Sequence, residues 1–103
     1  MEELTQLLHT RFDASRCGDF DATFSVHCGN QSLTLQVAEQ ALRIVDAPGE
    51  KDDFTLFFEG ESDAIGVFSG KTPPLDAFMA GGLRSSGYIM WVFQTLGIFS
   101  KPY

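Results

Sequence analysis

The stretch Tyr88-Ile-Met-Trp-Val-Phe-Gln-Thr-Leu-Gly-Ile-Phe99 is apolar on almost every side of a helix. It is too short to span a bilayer, which takes roughly 20 apolar residues. Such a helix must be covered on more than one side, by the domain's own core, by a partner chain or by an apolar ligand. The main functional question raised by the sequence is therefore what covers this helix.

At about 100° per residue, this helix carries two apolar stripes. The broad stripe is expected to pack on a sheet and contains Tyr88, Ile89, Val92, Phe93, Leu96 and Phe99. The narrower stripe holds Trp91, Thr95 and Ile98, with Met90 and Gln94 beside it. The narrow stripe would lie in water unless neighbouring short helices, a ligand or a second chain covered it. Gln94 is then either exposed at its edge or a hydrogen-bonding partner for the head of a bound amphiphile.

The region upstream of this helix predicts one helix followed by strands. Leu4, Leu7, Leu8 and Phe12 recur at helical spacing, which predicts a helix over residues 2–12. Alternating apolar residues predict four strands, around 20–28, 33–37, 42–47 and 54–58. An exposed turn is expected at Pro48–Asp53.

Two short helices and a short strand are predicted before the final helix. Ser62 as N-cap and Gly70 beyond the end frame a helix over Asp63–Ser69. Thr72-Pro73 opens a second helix that runs through Ala80, and residues 83–86 form a short strand or link. Strands followed by helices indicate an α+β fold, a mostly antiparallel sheet with helices on one face, in a single domain over 1–103.

The charge and the cysteines limit the classes of function. A net charge of −7 without a basic stripe argues against nucleic-acid binding and allows at most transient contact with anionic membranes. Cys17 and Cys28 lack C-x-x-C spacing, and no basic leader segment precedes them. We therefore expect two free thiols and a cytoplasmic location.

No catalytic, metal or cofactor site is predicted. His9 and His27 are interpreted as surface histidines, and Asp52-Asp53 as solvated charge in a turn. The sequence contains no nucleophile elbow and no metal-ligand spacing. We therefore expect that the chain is not an enzyme, and a hydrolase or isomerase acting on a bound lipid is the least favoured alternative.

Two stretches resemble the sterol carrier protein 2 family: Phe54-Thr-Leu-Phe-Phe-Glu-Gly-Glu-Ser-Asp-Ala-Ile-Gly-Val-Phe-Ser-Gly70 and Pro74-Leu-Asp-Ala-Phe-Met-Ala-Gly-Gly-Leu-Arg-Ser-Ser-Gly87. Met79, Gly81, Leu83 and Gly87 stand at the positions of the family's Met-x-Gly-x-Leu-x-x-x-Gly pattern. The chain departs from the family at Tyr88, where an acidic residue or Asn is common. The order of elements agrees over the whole chain, whereas the motif covers about residues 54–99.

This resemblance implies a five-stranded sheet whose helices enclose an apolar tunnel for a fatty acid, fatty acyl-CoA, sterol-like or isoprenoid lipid. It implies binding or transfer without catalysis. The tunnel lining is expected to comprise Phe58, Ile65, Phe68, Phe78, Met79, Met90, Trp91, Gln94 and Ile98. The alternative is an accessory or dimerisation module for a lipid- or quinone-handling enzyme that uses the same apolar residues. Either reading is compatible with a monomer or a weak homodimer.

Overall fold

A computed structural model describes residues 1–45, 52–87 and 89–101, except for the side chain of Ile89. The four α-helices are α1 (Glu2–Arg11), α2 (Glu61–Phe68), α3 (Pro74–Ala80) and α4 (Ile89–Ile98). The five strands are β1 (Ala22–Cys28), β2 (Gln31–Ala38), β3 (Ala41–Val45), β4 (Phe54–Phe58) and β5 (Leu83–Ser86). A single 3-10 turn, Ala14–Arg16, lies between α1 and β1.

The strands form one sheet in the order β3-β2-β1-β4-β5. Neighbouring strands are antiparallel except β1 and β4, which run parallel with Phe24 opposite Phe54 and Cys28 opposite Phe58. The prediction of an α+β fold with a mostly antiparallel, five-stranded sheet is confirmed. The predicted turn at Pro48–Asp53 lies outside the described residues apart from Asp52 and Asp53.

The two faces of the sheet differ in chemistry. Phe54, Leu56 and Phe58 of β4 are buried on the face that the helices cover, together with the apolar residues of β1 and β2. Phe57 points to the opposite face, where it is 39% exposed and its ring lies 5.2 Å from that of His27. The adjacent phenylalanines of β4 thus place rings on both faces, because side chains alternate along a strand.

The helix starts differ from prediction at α2. Ser62 is not the N-cap: Gly60 is, and α2 begins at Glu61. The reason is that Asp63 reaches back, so that its Oδ2 accepts a hydrogen bond from the Gly60 N–H at 3.1 Å. The helix ending at Ala80 and the strand over 83–86 are confirmed, whereas β1 begins at Ala22, two residues after the predicted start.

Arg11 joins three helices at one end of the domain. Its Nε donates to the carbonyl of Phe68 at 3.3 Å, and its Nη1 donates to the carbonyl of Lys101 at 2.9 Å. The Lys101 N–H returns a hydrogen bond to the Arg11 carbonyl at 2.9 Å. These bonds hold the end of α4 against α1 and α2. In the described part of the chain, no helix is both long and apolar enough to cross a membrane.

Candidate functional site

Helix α4 lies on the sheet with a different rotation from the one predicted. Val92, Leu96 and Phe99 of the broad stripe are buried as expected, but Phe93 is 40% exposed. Thr95 and Ile98, assigned to the narrow stripe, are buried as well. The predicted burial of Phe93 is wrong because α3, and not the sheet, flanks this side of α4. The ring of Phe93 packs against that of Phe78 at 5.8 Å.

An aromatic cluster fills the space between the sheet and α4. Phe99 lies at its centre, with its ring 5.5 Å from Phe68, 5.7 Å from Phe12 and 6.5 Å from Phe24. The contacts extend from Phe68 to Phe58 and, on the other side, from Phe24 through Phe54 to Trp91. We use the term aromatic cluster for Phe12, Phe24, Phe54, Phe58, Phe68, Trp91 and Phe99. In this conformation the interior under α4 is occupied by the protein's own rings.

Large apolar side chains also lie exposed on α3 and α4. Leu75 and Met79 of α3 are one turn apart, and Met79 is 80% exposed. The contact between Phe78 and Phe93 joins the two helices. We call the exposed set the outer apolar surface: Leu75, Met79, Met90, Trp91 and Phe93. Extended exposed apolar patches mark sites of interaction with a ligand, a membrane or another protein.

The nine predicted lining residues fall into three groups. Phe58, Phe68 and Ile98 are buried in the core. Ile65 and Phe78 are half-buried and pack against that core. The exposed members are Met79, Met90, Trp91 and Gln94. The rings of Phe58 and Phe68 meet at 5.9 Å. The role of the nine residues as the lining of one tunnel stays a prediction.

Sequence reasoning missed Leu75 and Phe99 as candidate site residues and misjudged Phe93. The helical spacing of Leu75, Phe78 and Met79 was the signal that could have identified the α3 side of the surface. No signal in the sequence distinguished the two sides of α4, since both carry large apolar residues.

A separate cleft of about 280 Å³ lies between α2 and α3. Asp63 and Asp76 contribute carboxylates, and Val67 and Ala77 contribute apolar contacts. This volume falls just below the roughly 300–1,000 Å³ of typical ligand pockets. Its two carboxylates would repel a fatty-acid head, so the cleft is a poorer candidate site for a fatty acid than the apolar surroundings of α4.

The two cysteines lie in the core and are free. Burial raises the pKa of Cys28 to about 11, with the charge of Glu61 adding to the effect. Burial also raises the pKa of Cys17. Because the thiolate is the reactive form, both thiols are poor nucleophiles at neutral pH. Among residues 1–45, 52–87 and 89–101, no group of three His, Cys, Asp or Glu side chains is placed to hold a metal ion.

Solved structures share this architecture. The chain is similar to UbiJ-SCP2, a ubiquinone synthesis protein, with a TM-score of 0.74 and 16% identity over 94% of this chain and 90% of that one. It is similar to sterol carrier protein domain 2 of Helicoverpa armigera, with a TM-score of 0.70 and 18% identity over 94% of this chain and 82% of that one. No model of a protein family matches the chain, and a search of curated proteins found no match.

A third similar structure is the inverting sec-alkylsulfatase Pisa1 from Pseudomonas sp., with a TM-score of 0.79 and 17% identity. The match covers 93% of this chain but only 16% of the sulfatase, so the chain corresponds to one small part of that enzyme. These comparisons, with other sterol carrier protein 2 structures, show that the chain has the sterol carrier protein 2 fold.

Proposed function

We propose that this domain binds a long-chain apolar ligand, without catalysing a reaction on it, between the sheet and helices α2 to α4. The observation that carries the proposal is the outer apolar surface, which shares Trp91 with the aromatic cluster. An alkyl chain that reaches the surface meets apolar side chains at every depth, from Met79 outside to Phe68 inside. The sterol carrier proteins that share the fold make a lipid the first class of ligand to test.

The energetics are adequate for binding. Burying about 16 methylenes at roughly 0.8 kcal/mol each gives a gross gain of about 13 kcal/mol. Loss of motion and ordering of side chains offset much of this gain, so affinity near the micromolar range is expected. Because rings fill the interior, the ligand must displace some of them. We propose that the rings of Trp91, Phe93 and Phe99, which lie on or next to α4, turn to admit the chain.

The nine predicted lining residues fit this proposal as two shells. Phe58, Phe68 and Ile98 would contact the buried end of the ligand, since all three are buried and Phe68 packs against Phe99. Ile65, Phe78, Met79, Met90, Trp91 and Gln94 would contact the part nearer the surface. We also propose a cytoplasmic setting, which the two free thiols support, and a monomer or weak homodimer as the working form.

A second candidate function is that of an accessory module whose outer apolar surface binds a protein. The exposure of Met79 and Phe93 supports it, because exposed apolar residues are also typical of protein interfaces. The shared fold with a ubiquinone synthesis protein suggests an enzyme that handles isoprenoid quinones or alkyl chains as the partner. Light scattering separates the candidates: a lipid-saturable monomer favours the carrier, and a tight dimer without lipid response favours the module.

The test uses Trp91, the single tryptophan of the chain. Brominated stearate quenches a nearby indole, so titration should give saturable quenching with a dissociation constant near micromolar. Phe93→Ser should weaken binding about tenfold or more, because it removes a ring between α3 and α4. Phe57→Ser is the matched control, since Phe57 has the same exposure on the opposite face of the sheet, in a shallow hollow with Arg84 and Ser85.

Equal quenching of both variants and the unmodified protein would place the lipid elsewhere. Quenching reduced only by Phe57→Ser would place it in the hollow on the open face. Absence of quenching in folded protein, together with native mass spectra free of lipid, would remove the support for a carrier.

A further inference from the structure

Thr95 is the polar exception on the buried side of α4. Its side chain is fully buried, and within the described part of the chain its Oγ1 has no hydrogen-bond partner. Buried polar groups are almost always hydrogen-bonded, so an exception requires an explanation. The residues one turn away along the helix are Trp91, Val92, Ile98 and Phe99, which offer no polar side-chain atom except the indole N–H of Trp91.

The two threonines of α1 behave differently. Thr5 Oγ1 donates to the Met1 carbonyl at 2.9 Å, and Thr10 Oγ1 donates to the Gln6 carbonyl at 2.9 Å. In both cases the acceptor is the carbonyl four residues earlier, a common hydrogen-bond acceptor for a threonine hydroxyl in a helix. Thr95 makes no such bond to the Trp91 carbonyl. Its hydroxyl is therefore available for a bond to something that enters the interior.

We propose that Thr95 Oγ1 binds the polar end of the lipid, and that this end is a neutral oxygen, a hydroxyl or a carbonyl. A hydroxyl can both donate and accept, so it suits either group. Residues 89–98 carry no charged side chain that could neutralise a carboxylate, and burying an unpaired carboxylate is costly. The inference rests on the proposed function and adds to it the class of head group.

Trp91 provides the route to Thr95. It lies one helical turn before Thr95, is partly exposed, and packs edge-on against Phe54 at 6.4 Å. Rotation of the indole would open the buried hydroxyl to the surface while the chain of the ligand takes the place of rings around Phe99. Gln94, expected from the sequence as a candidate for the head contact, is exposed, whereas Thr95 is buried.

The experiment compares three ligands with equal chains: 1-decanol, ionised decanoate at pH 8, and 1-bromodecane, which lacks a hydrogen-bonding head and quenches Trp91. Unmodified protein should bind decanol at least tenfold more tightly than decanoate, measured by displacement of bromodecane. Thr95→Val should weaken decanol binding about tenfold, which corresponds to about 1.4 kcal/mol, and leave bromodecane binding unchanged. Thr95→Ser keeps the hydroxyl and should retain decanol binding within about twofold.

Stability gives an independent readout. Thr95→Val replaces an unpartnered hydroxyl by a methyl of similar size, so its urea midpoint should be equal to or above that of the unmodified protein. A lower midpoint would show that the hydroxyl already has a partner and would overturn the inference. Two binding results would also overturn the inference: unchanged decanol affinity in Thr95→Val, or tighter binding of decanoate than of decanol by the unmodified protein. Either result would leave the proposed lipid binding itself intact. If neither decanol nor bromodecane binds the unmodified protein, both this inference and the proposed function fail.

Discussion

Val92 and Phe93 are neighbours on α4, yet the structure buries the first completely and leaves the second 40% exposed. The inner side of the helix, with Leu96 and Phe99, closes the domain's core. The outer side, with Met90 and Phe93, has side chains that are just as apolar, but much of their surface remains exposed to water. The inner side therefore stabilises the fold, whereas the outer side is available for a ligand or a partner.

The largest expected effect comes from removing the central ring of the inner side. Phe99→Ala should lower the free energy of unfolding by about 3–5 kcal/mol, because it empties a buried site in contact with three other rings. Phe93→Ala should cost less than about 1 kcal/mol, since the ring is partly in water already. Urea unfolding of the two variants measures the difference. Equal losses would contradict the division of α4 into two sides.

A second prediction concerns the residue that leads the chain into α4. Gly87 has φ of +99°, and a Cβ there would lie 2.7 Å from Phe54 Cβ and 3.1 Å from the Asp53 carbonyl. Gly87→Ala should therefore lower the free energy of unfolding by about 2–3 kcal/mol, because it strains the backbone and displaces α4 from β4. Gly81→Ala is the control, because Gly81 has a similar φ of +82° but open space around it.

Gly81→Ala should lower the free energy of unfolding by only about 1 kcal/mol, because it adds backbone strain alone. Thermal unfolding of both alanine variants gives the comparison. If Gly87→Ala is no more harmful than Gly81→Ala, the close approach of β4 does not constrain where α4 begins.

The smallest expected effect is a pH dependence of stability caused by the buried thiol of Cys28. Burial raises the pKa of Cys28 to about 11, from 9.0 for a thiol in water. Between these values the unfolded chain loses the thiol proton and the folded chain keeps it, so stability should fall as pH rises from about 9 to about 11. Chemical unfolding at several pH values should show this slope, and Cys28→Ala should reduce it, leaving the smaller contribution of Cys17. An identical slope in both proteins would show that Cys28 does not cause it.

Much of the fold was predictable from local signals. Period-two alternation identified β2 and β4, helical spacing identified α1, and Pro with Gly framed α3. The start of α2 was missed because the Asp63 carboxylate, and not a serine, caps the Gly60 N–H. The candidate site was predictable only in part, since Phe58, Phe68 and Ile98 are buried as a lining would require, while Met79 and Gln94 are exposed.

Residue type and spacing predict an α+β domain whose last helix carries more apolar side chains than one contact face can use. Those properties follow from residue type and spacing, which act locally. Which side of α4 faces the sheet depends on tertiary packing. Phe93 packs against Phe78 of α3, whereas Thr95 and Ile98 are buried and the Asp13 N–H donates to the Ile98 carbonyl. An almost uniformly apolar helix has no polar side to orient it, so its rotation is set by the shapes of the elements it packs against.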